Sequence, residues 1–106
     1  MGGNEALKLE TAASIISSAR INKTKLGEIS KDYRPAEEHE SYKIQNLVKR
    51  QLSTKGFGPQ VGYKIGCTTP VMQKYLNIHN PCAGVIFEST VQKNFGQTKH
   101  SDYQYP

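Results

Sequence analysis

At 106 residues the chain fits one domain and has no room for two. A hydrophobic fraction of 36% and a mean hydropathy of −0.62 are polar for a self-contained domain, so part of the surface is expected to meet a partner. The net charge of +5 permits contact with nucleic acid or acidic ligands without establishing either.

No apolar run approaches the roughly 18 residues of a membrane span, and the N-terminus lacks a charged region followed by a long apolar stretch. The two cysteines, Cys67 and Cys82, match no CxxC redox or zinc spacing. These features point to a cytoplasmic protein with reduced thiols and no membrane contact.

In chain order, Met1-Gly2-Gly3 reads as a flexible start. Asn4 is placed to cap a helix over about 5–20. Leu9, Ala12, Ala13, Ile16 and Ala19 fall at helical spacing and make one apolar stripe, with Ser14, Ser17 and Ser18 elsewhere on the wheel. The alanines allow a neighbouring element to come close. Residues 22–34 form a polar connection that Leu26 and Ile29 pin to the body.

A second helix is expected from Pro35, with Glu37 and Glu38 at its positive end and Lys49, Arg50 and Lys55 near the other. Gly56 is its stop. Ile44, Leu47, Val48, Gln51 and Leu52 are its inward face. Tyr42 and Gln45 read as packing positions with a hydrogen bond that orients the helix. Glu37, Glu38, His39 and Glu40 are consecutive on a helix, so their side chains diverge and do not converge on one ion.

Phe57-Gly58-Pro59 turns into a strand beginning at Val61. Val61, Tyr63 and Ile65 alternate with Gly62, Lys64 and Gly66, which places the apolar set toward a core and Lys64, between two glycines, on an open face. The plain reading of Lys64 is a solvated surface lysine. Thr69 caps a short helix that begins at Pro70, carries Val71, Met72, Tyr75 and Leu76, and stops at Asn77. A second strand is predicted over 84–91. The polar segment 93–106, with Tyr103 and Tyr105, has room for one short edge strand.

Three stretches in register resemble the 2-keto-4-pentenoate hydratase family of the fumarylacetoacetate hydrolase superfamily. Gly62-Tyr63-Lys64-Ile65-Gly66-Cys67-Thr68-Thr69 is similar to its Gly-aromatic-Lys-Ile-Gly-x-Thr signature. Glu40-Ser41-Tyr42-Lys43-Ile44-Gln45 is similar to its acidic-x-Tyr-x-Ile-Gln helix. Met72-Gln73-Lys74-Tyr75-Leu76-Asn77-Ile78, followed by Pro81-Cys82-Ala83-Gly84, resembles its Met-Gln-x-x-Leu-Gly-Val and Pro-Asp-Phe-Gly segment.

The resemblance implies an α/β (α+β) fold, with N-terminal helices packed on a small sheet, as the N-terminal subdomain of a fumarylacetoacetate-hydrolase-like fold. It makes residues 1–106 a single N-terminal region. The implied activity is a metal-dependent hydratase or lyase acting on 2-hydroxydienoate or 2-oxo acids, in a homo-oligomer. Lys64 takes the family's active-site lysine position. Its implied job is to stabilise negative charge building on a substrate oxygen, which a cation does far better in a closed site than in water. Thr68, Thr69 and Cys82 are the implied pocket residues. Cys82 replaces an aspartate that the family commonly uses.

The family's magnesium or manganese is held by a Glu-x-Glu motif and a later carboxylate, as hard cations require. No Glu-x-Glu follows Pro81 in this chain, and Glu88 and Asp102 do not match. No metal or cofactor is therefore assigned to the chain alone, the metal-binding region is expected beyond residue 106, and activity is not expected in isolation.

The alternative is a non-catalytic α/β module that assembles with a related subunit. Nucleic-acid binding is disfavoured, because no strand interleaves basic and aromatic residues. The set His79, Cys82, Cys67 and His100 fits no common zinc spacing.

Overall fold

The computed structural model describes residues 2–104, so Met1, Tyr105 and Pro106 lie outside it. Two helices, α1 (Gly2–Asn22) and α2 (Glu38–Leu52), pack together and against a two-stranded antiparallel sheet of β1 (Gln60–Gly66) and β2 (Cys82–Phe87). A short helix, α3 (Pro70–Tyr75), lies between the strands in sequence. The fold is thus a small mixed α/β unit.

The alanine-rich stripe of α1 behaves as its spacing predicts. Ala12 and Ala13 are fully buried, and with Leu9 they join Ile44, Val48 and Leu52 of α2 and Phe87 of β2 in one core. Close approach at the alanines brings the larger aliphatic groups of α2 into contact, where burial removes their apolar surface from water. Phe57 meets Phe87 edge to face at 5.4 Å, a favoured aromatic geometry. The Arg20 guanidinium lies 5.2 Å from the Phe57 ring centre and 5.5 Å from that of Phe87. It closes the end of the core with a cation over two π faces.

Several expectations need correction. α1 begins at Gly2, so Asn4 sits inside the helix and does not cap it. Ser17 is buried beside the stripe, and its hydroxyl has no hydrogen-bond partner. α2 begins at Glu38 rather than Pro35, because the Glu40 carboxylate folds back to accept the Ala36 N–H at 2.9 Å and holds the preceding residues in a bend. At the other end Gly56 takes a positive φ of 98° and Gly58 one of 77°. Backbone in that region favours glycine, which ends the helix and turns the chain into β1.

β2 starts and stops earlier than predicted. Cys82 pairs with Gly66 at one end. At the other, Glu88 N–H donates to Pro59 O at 3.0 Å, and the Thr90 hydroxyl donates to Phe87 O at 2.8 Å, curling residues 88–90 into a 3-10 turn. No strand forms after residue 91 among the described residues. Side chains engage the backbone there: Asp102 Oδ2 accepts the nearby Lys99 N–H at 2.9 Å, and Gln104 Nε2 donates to Thr24 O, beyond the end of α1, at 2.7 Å. Such bonds compete with a strand ladder.

The apolar residues of β1 are the main departure. By register Tyr63 lies opposite Val85, and Ile65 opposite Ala83, so they share the face that Val85 and Phe87 turn toward the helices. The helices cover β2 and stop short of β1. Tyr63 remains 69% exposed and Ile65 50%. The orientation follows the alternation, but the expected burial does not occur.

Candidate functional site

Two regions bear the candidate residues. The first is the face of the sheet turned away from the helices. Gly62, Lys64 and Gly66 of β1 lie opposite Ile86, Gly84 and Cys82 of β2. Lys64 therefore has glycine two positions away on each side and glycine across the strand. A Cβ added at Gly66 or Gly84 would meet nothing within 4 Å, so this clearing is open to a ligand or a second backbone. The Lys64 ammonium is exposed and donates to the Ile65 carbonyl at 2.6 Å.

The second region is a cavity of about 470 Å³ between α2, the end of α3 and the start of β2. Glu38, Tyr42 and Gln45 line it from α2, with Asn77, His79 and Cys82 opposite. Its geometry rests on one strand residue. Ala83 N–H donates to the Tyr42 hydroxyl at 3.0 Å, and Ala83 O accepts from Gln45 Nε2 at 2.9 Å. Both backbone groups of Ala83 point away from β1, so α2 caps the outer edge of the sheet with two side chains. This is the orienting hydrogen bond expected of Tyr42 and Gln45. Asn80 donates to Glu38 Oε1 at 2.7 Å and to Pro81 O at 2.9 Å, fixing the loop at the cavity rim.

Of the four site residues read from the sequence, only Cys82 lines this cavity; Lys64, Thr68 and Thr69 do not. Thr68 is exposed. The Thr69 hydroxyl accepts the Met72 N–H at 3.2 Å and caps α3, as its position before Pro70 predicts. At the far end of α3 Asn77 takes φ 57°, and Ile78 N–H reaches Gln73 O at 2.8 Å, a left-handed helix stop.

Cys82 and Cys67 are free thiols, both half-buried. Burial first, then the hydrogen bond and proximity of Cys67, then the charge of Glu38, push the Cys82 thiol above its ordinary pKa. Cys67 sits at φ 55°, and its carbonyl accepts from Gln73 Nε2 at 3.0 Å.

The carboxylates do not fit the magnesium or manganese site of the resemblance. No group of three metal-ligating side chains comes together among the described residues. Glu37 pairs with His39 at 3.0 Å, Glu38 with Asn80 and Glu40 with the Ala36 amide, so the acidic turn spreads its charges over three partners. No described helix is long and apolar enough to cross a membrane.

The cavity wall on α2 was not read as a site from sequence. Glu38, Ser41, Tyr42 and Gln45 recur at three- and four-residue steps and so share one helical face. That polar stripe beside the apolar one is the signal that could have found it. No family model, curated protein or solved structure matches the chain.

Proposed function

We propose that the chain is the lysine-bearing part of a hydratase or lyase of the 2-keto-4-pentenoate hydratase kind, acting on 2-hydroxydienoate or 2-oxo acids in the cytoplasm. In this reading its unit is the N-terminal subdomain of a fumarylacetoacetate-hydrolase-like fold, within a homo-oligomer. The observation that carries the proposal is the glycine-floored clearing around Lys64, whose ammonium has one backbone carbonyl as its hydrogen-bond partner. A carboxylate or enolate oxygen arriving there competes with a neutral carbonyl and gains a charge-assisted bond.

Lys64 holds the developing oxyanion, and closure of the clearing by a second body removes the water that would screen it. Thr69 keeps α3 beside the strand end. The carboxylates for the metal come from that second body.

The reading predicts no turnover of a 2-hydroxydienoate by the chain alone. Turnover should appear when the chain is joined to the carboxylate-bearing C-terminal region of a hydratase of this family. Lys64→Ala in the joined protein should abolish it while leaving the fold intact. Activity retained in Lys64→Ala would sink the assignment.

The exposed apolar side chains favour a second reading. Val71 is 77% and Tyr75 82% exposed on α3, in addition to Tyr63 and Ile65. A non-catalytic module that assembles with a related subunit would cover them. Sedimentation with such a subunit separates the two readings, since a tight complex lacking any Lys64-dependent turnover supports the second alone.

A further inference from the structure

Cys67 directly follows Gly66, the last residue of β1, and Gly66 is the register partner of Cys82, the first residue of β2. The two cysteines thus lie side by side where the strands open into the 67–81 connection, close enough for the Cys67 thiol to bear on the Cys82 proton. Both belong to one rigid corner. Gln73 holds the Cys67 carbonyl, and Tyr42 and Gln45 hold Ala83 beside Cys82. Two thiols held at one strand end by the fold lose little freedom on bonding, which favours an intramolecular disulfide over a mixed one.

We propose that Cys67 and Cys82 are a modification site: a reversible dithiol–disulfide couple that exchanges with small-molecule disulfides of the glutathione class. The proposal is independent of the reading of Lys64.

The exchange balances in two steps. The Cys67 sulfur, as thiolate, attacks one sulfur of oxidised glutathione. The glutathione S–S bond breaks, one glutathione leaves as thiolate, and Cys67 carries a mixed disulfide. The Cys82 sulfur then attacks Cys67, forming the Cys67–Cys82 bond and expelling the second glutathione. Two electrons pass from the protein dithiol to glutathione disulfide, and the two thiol protons end on the two released glutathiones. Cys82 suits the second step: its raised pKa makes it slow to open the exchange, and it gives up its proton as it attacks Cys67. The new bond closes the ring of residues 67–82 that carries α3, and it takes Cys82 from the wall of the 470 Å³ cavity. In a reducing compartment the couple rests as the dithiol and responds when the glutathione poise becomes oxidising.

The test equilibrates the whole chain in buffers of stepped reduced-to-oxidised glutathione ratio, quenches with a maleimide and reads intact mass. One transition is expected from a doubly labelled species to an unlabelled one lighter by two hydrogens than the reduced chain, at a ratio independent of protein concentration. Digestion without reductant should give a single peptide pair joined through Cys67 and Cys82. Cys67→Ser and Cys82→Ser should each stop at one glutathione adduct. In urea the fraction oxidised at a fixed ratio should fall severalfold, because only the fold brings the thiols together. Accumulating adducts on the wild type, disulfide-linked dimers, full labelling in oxidised glutathione alone, or a transition unchanged by urea would each overturn the proposal.

Discussion

Replacing Tyr42 by Phe removes one oxygen and leaves the ring in place. That oxygen accepts the Ala83 N–H at 3.0 Å on the outer edge of β2. A buried donor left without a partner costs about 1–3 kcal/mol, whereas an exposed one is rehydrated at little cost. Ala83 is half-buried and borders the cavity, so water reaches the vacated site and the cost falls at the low end, about 1 kcal/mol. For a domain of this size that corresponds to a fall of about 4–8 °C in the melting midpoint.

Gln45→Met removes the other half of the clamp, and because both side chains hold one residue the double variant should depart from additivity by about 0.5 kcal/mol or more. Urea denaturation followed by far-UV circular dichroism gives the stabilities, and amide exchange at Ala83 gives the local effect. A Tyr42→Phe chain with unchanged midpoint and unchanged Ala83 protection would refute the idea that α2 secures the sheet through this hydroxyl.

Ser17→Ala deletes a buried hydroxyl that has no partner; it should raise stability by about 1 kcal/mol in the same urea assay, because a desolvated polar group is removed from the core. Thr69→Ala removes the α3 cap and should cost about 1 kcal/mol, seen as faster amide exchange at Met72 and Gln73 with little change at α2. The pH dependence follows from Cys82. Its folded pKa lies above the ordinary 9.0, so the folded state holds this proton more tightly than the unfolded one. The associated stability is complete below pH 9.0 and declines as pH rises through the folded value. Cys82→Ser should flatten that alkaline decline in melts run on either side of it, and an identical decline in the variant would exclude Cys82 as its source.

The helices were legible because their signals are local. The alanine stripe, the dipole-complementing ends and the Gly56 stop each depend on residues within a few positions, and Thr69, Pro70 and Asn77 fix α3 in the same way. Position across the sheet was not legible. The alternation of Val61, Tyr63 and Ile65 gives their face, but the extent of helix cover is a tertiary fact, and it leaves Tyr63 69% exposed. The α2 start was misplaced because Glu40 reaches back to Ala36, a side-chain bond that outweighs the preference of Pro35 for a first helical turn. The cavity joins Tyr42 and Gln45 to Asn77 and His79, residues more than thirty positions apart, and no local pattern signals their meeting.

The Ala83 clamp also fixes strand parity. Along β2 the N–H and C=O of successive residues point alternately toward β1 and away from it. Tyr42 and Gln45 engage both groups of a single residue, which only an outward-pointing residue offers. Sliding β2 by one position would put Cys82 or Gly84 opposite Ile65, turn every side chain of the strand to the other face and carry Phe87 out of the core. A slip of two restores the parity but still displaces Phe87 from its contact with Phe57. A two-stranded ribbon rich in glycine has little of its own to set alignment. Here the helix measures it, and the pairing of Gly66 with Cys82 inherits that measurement.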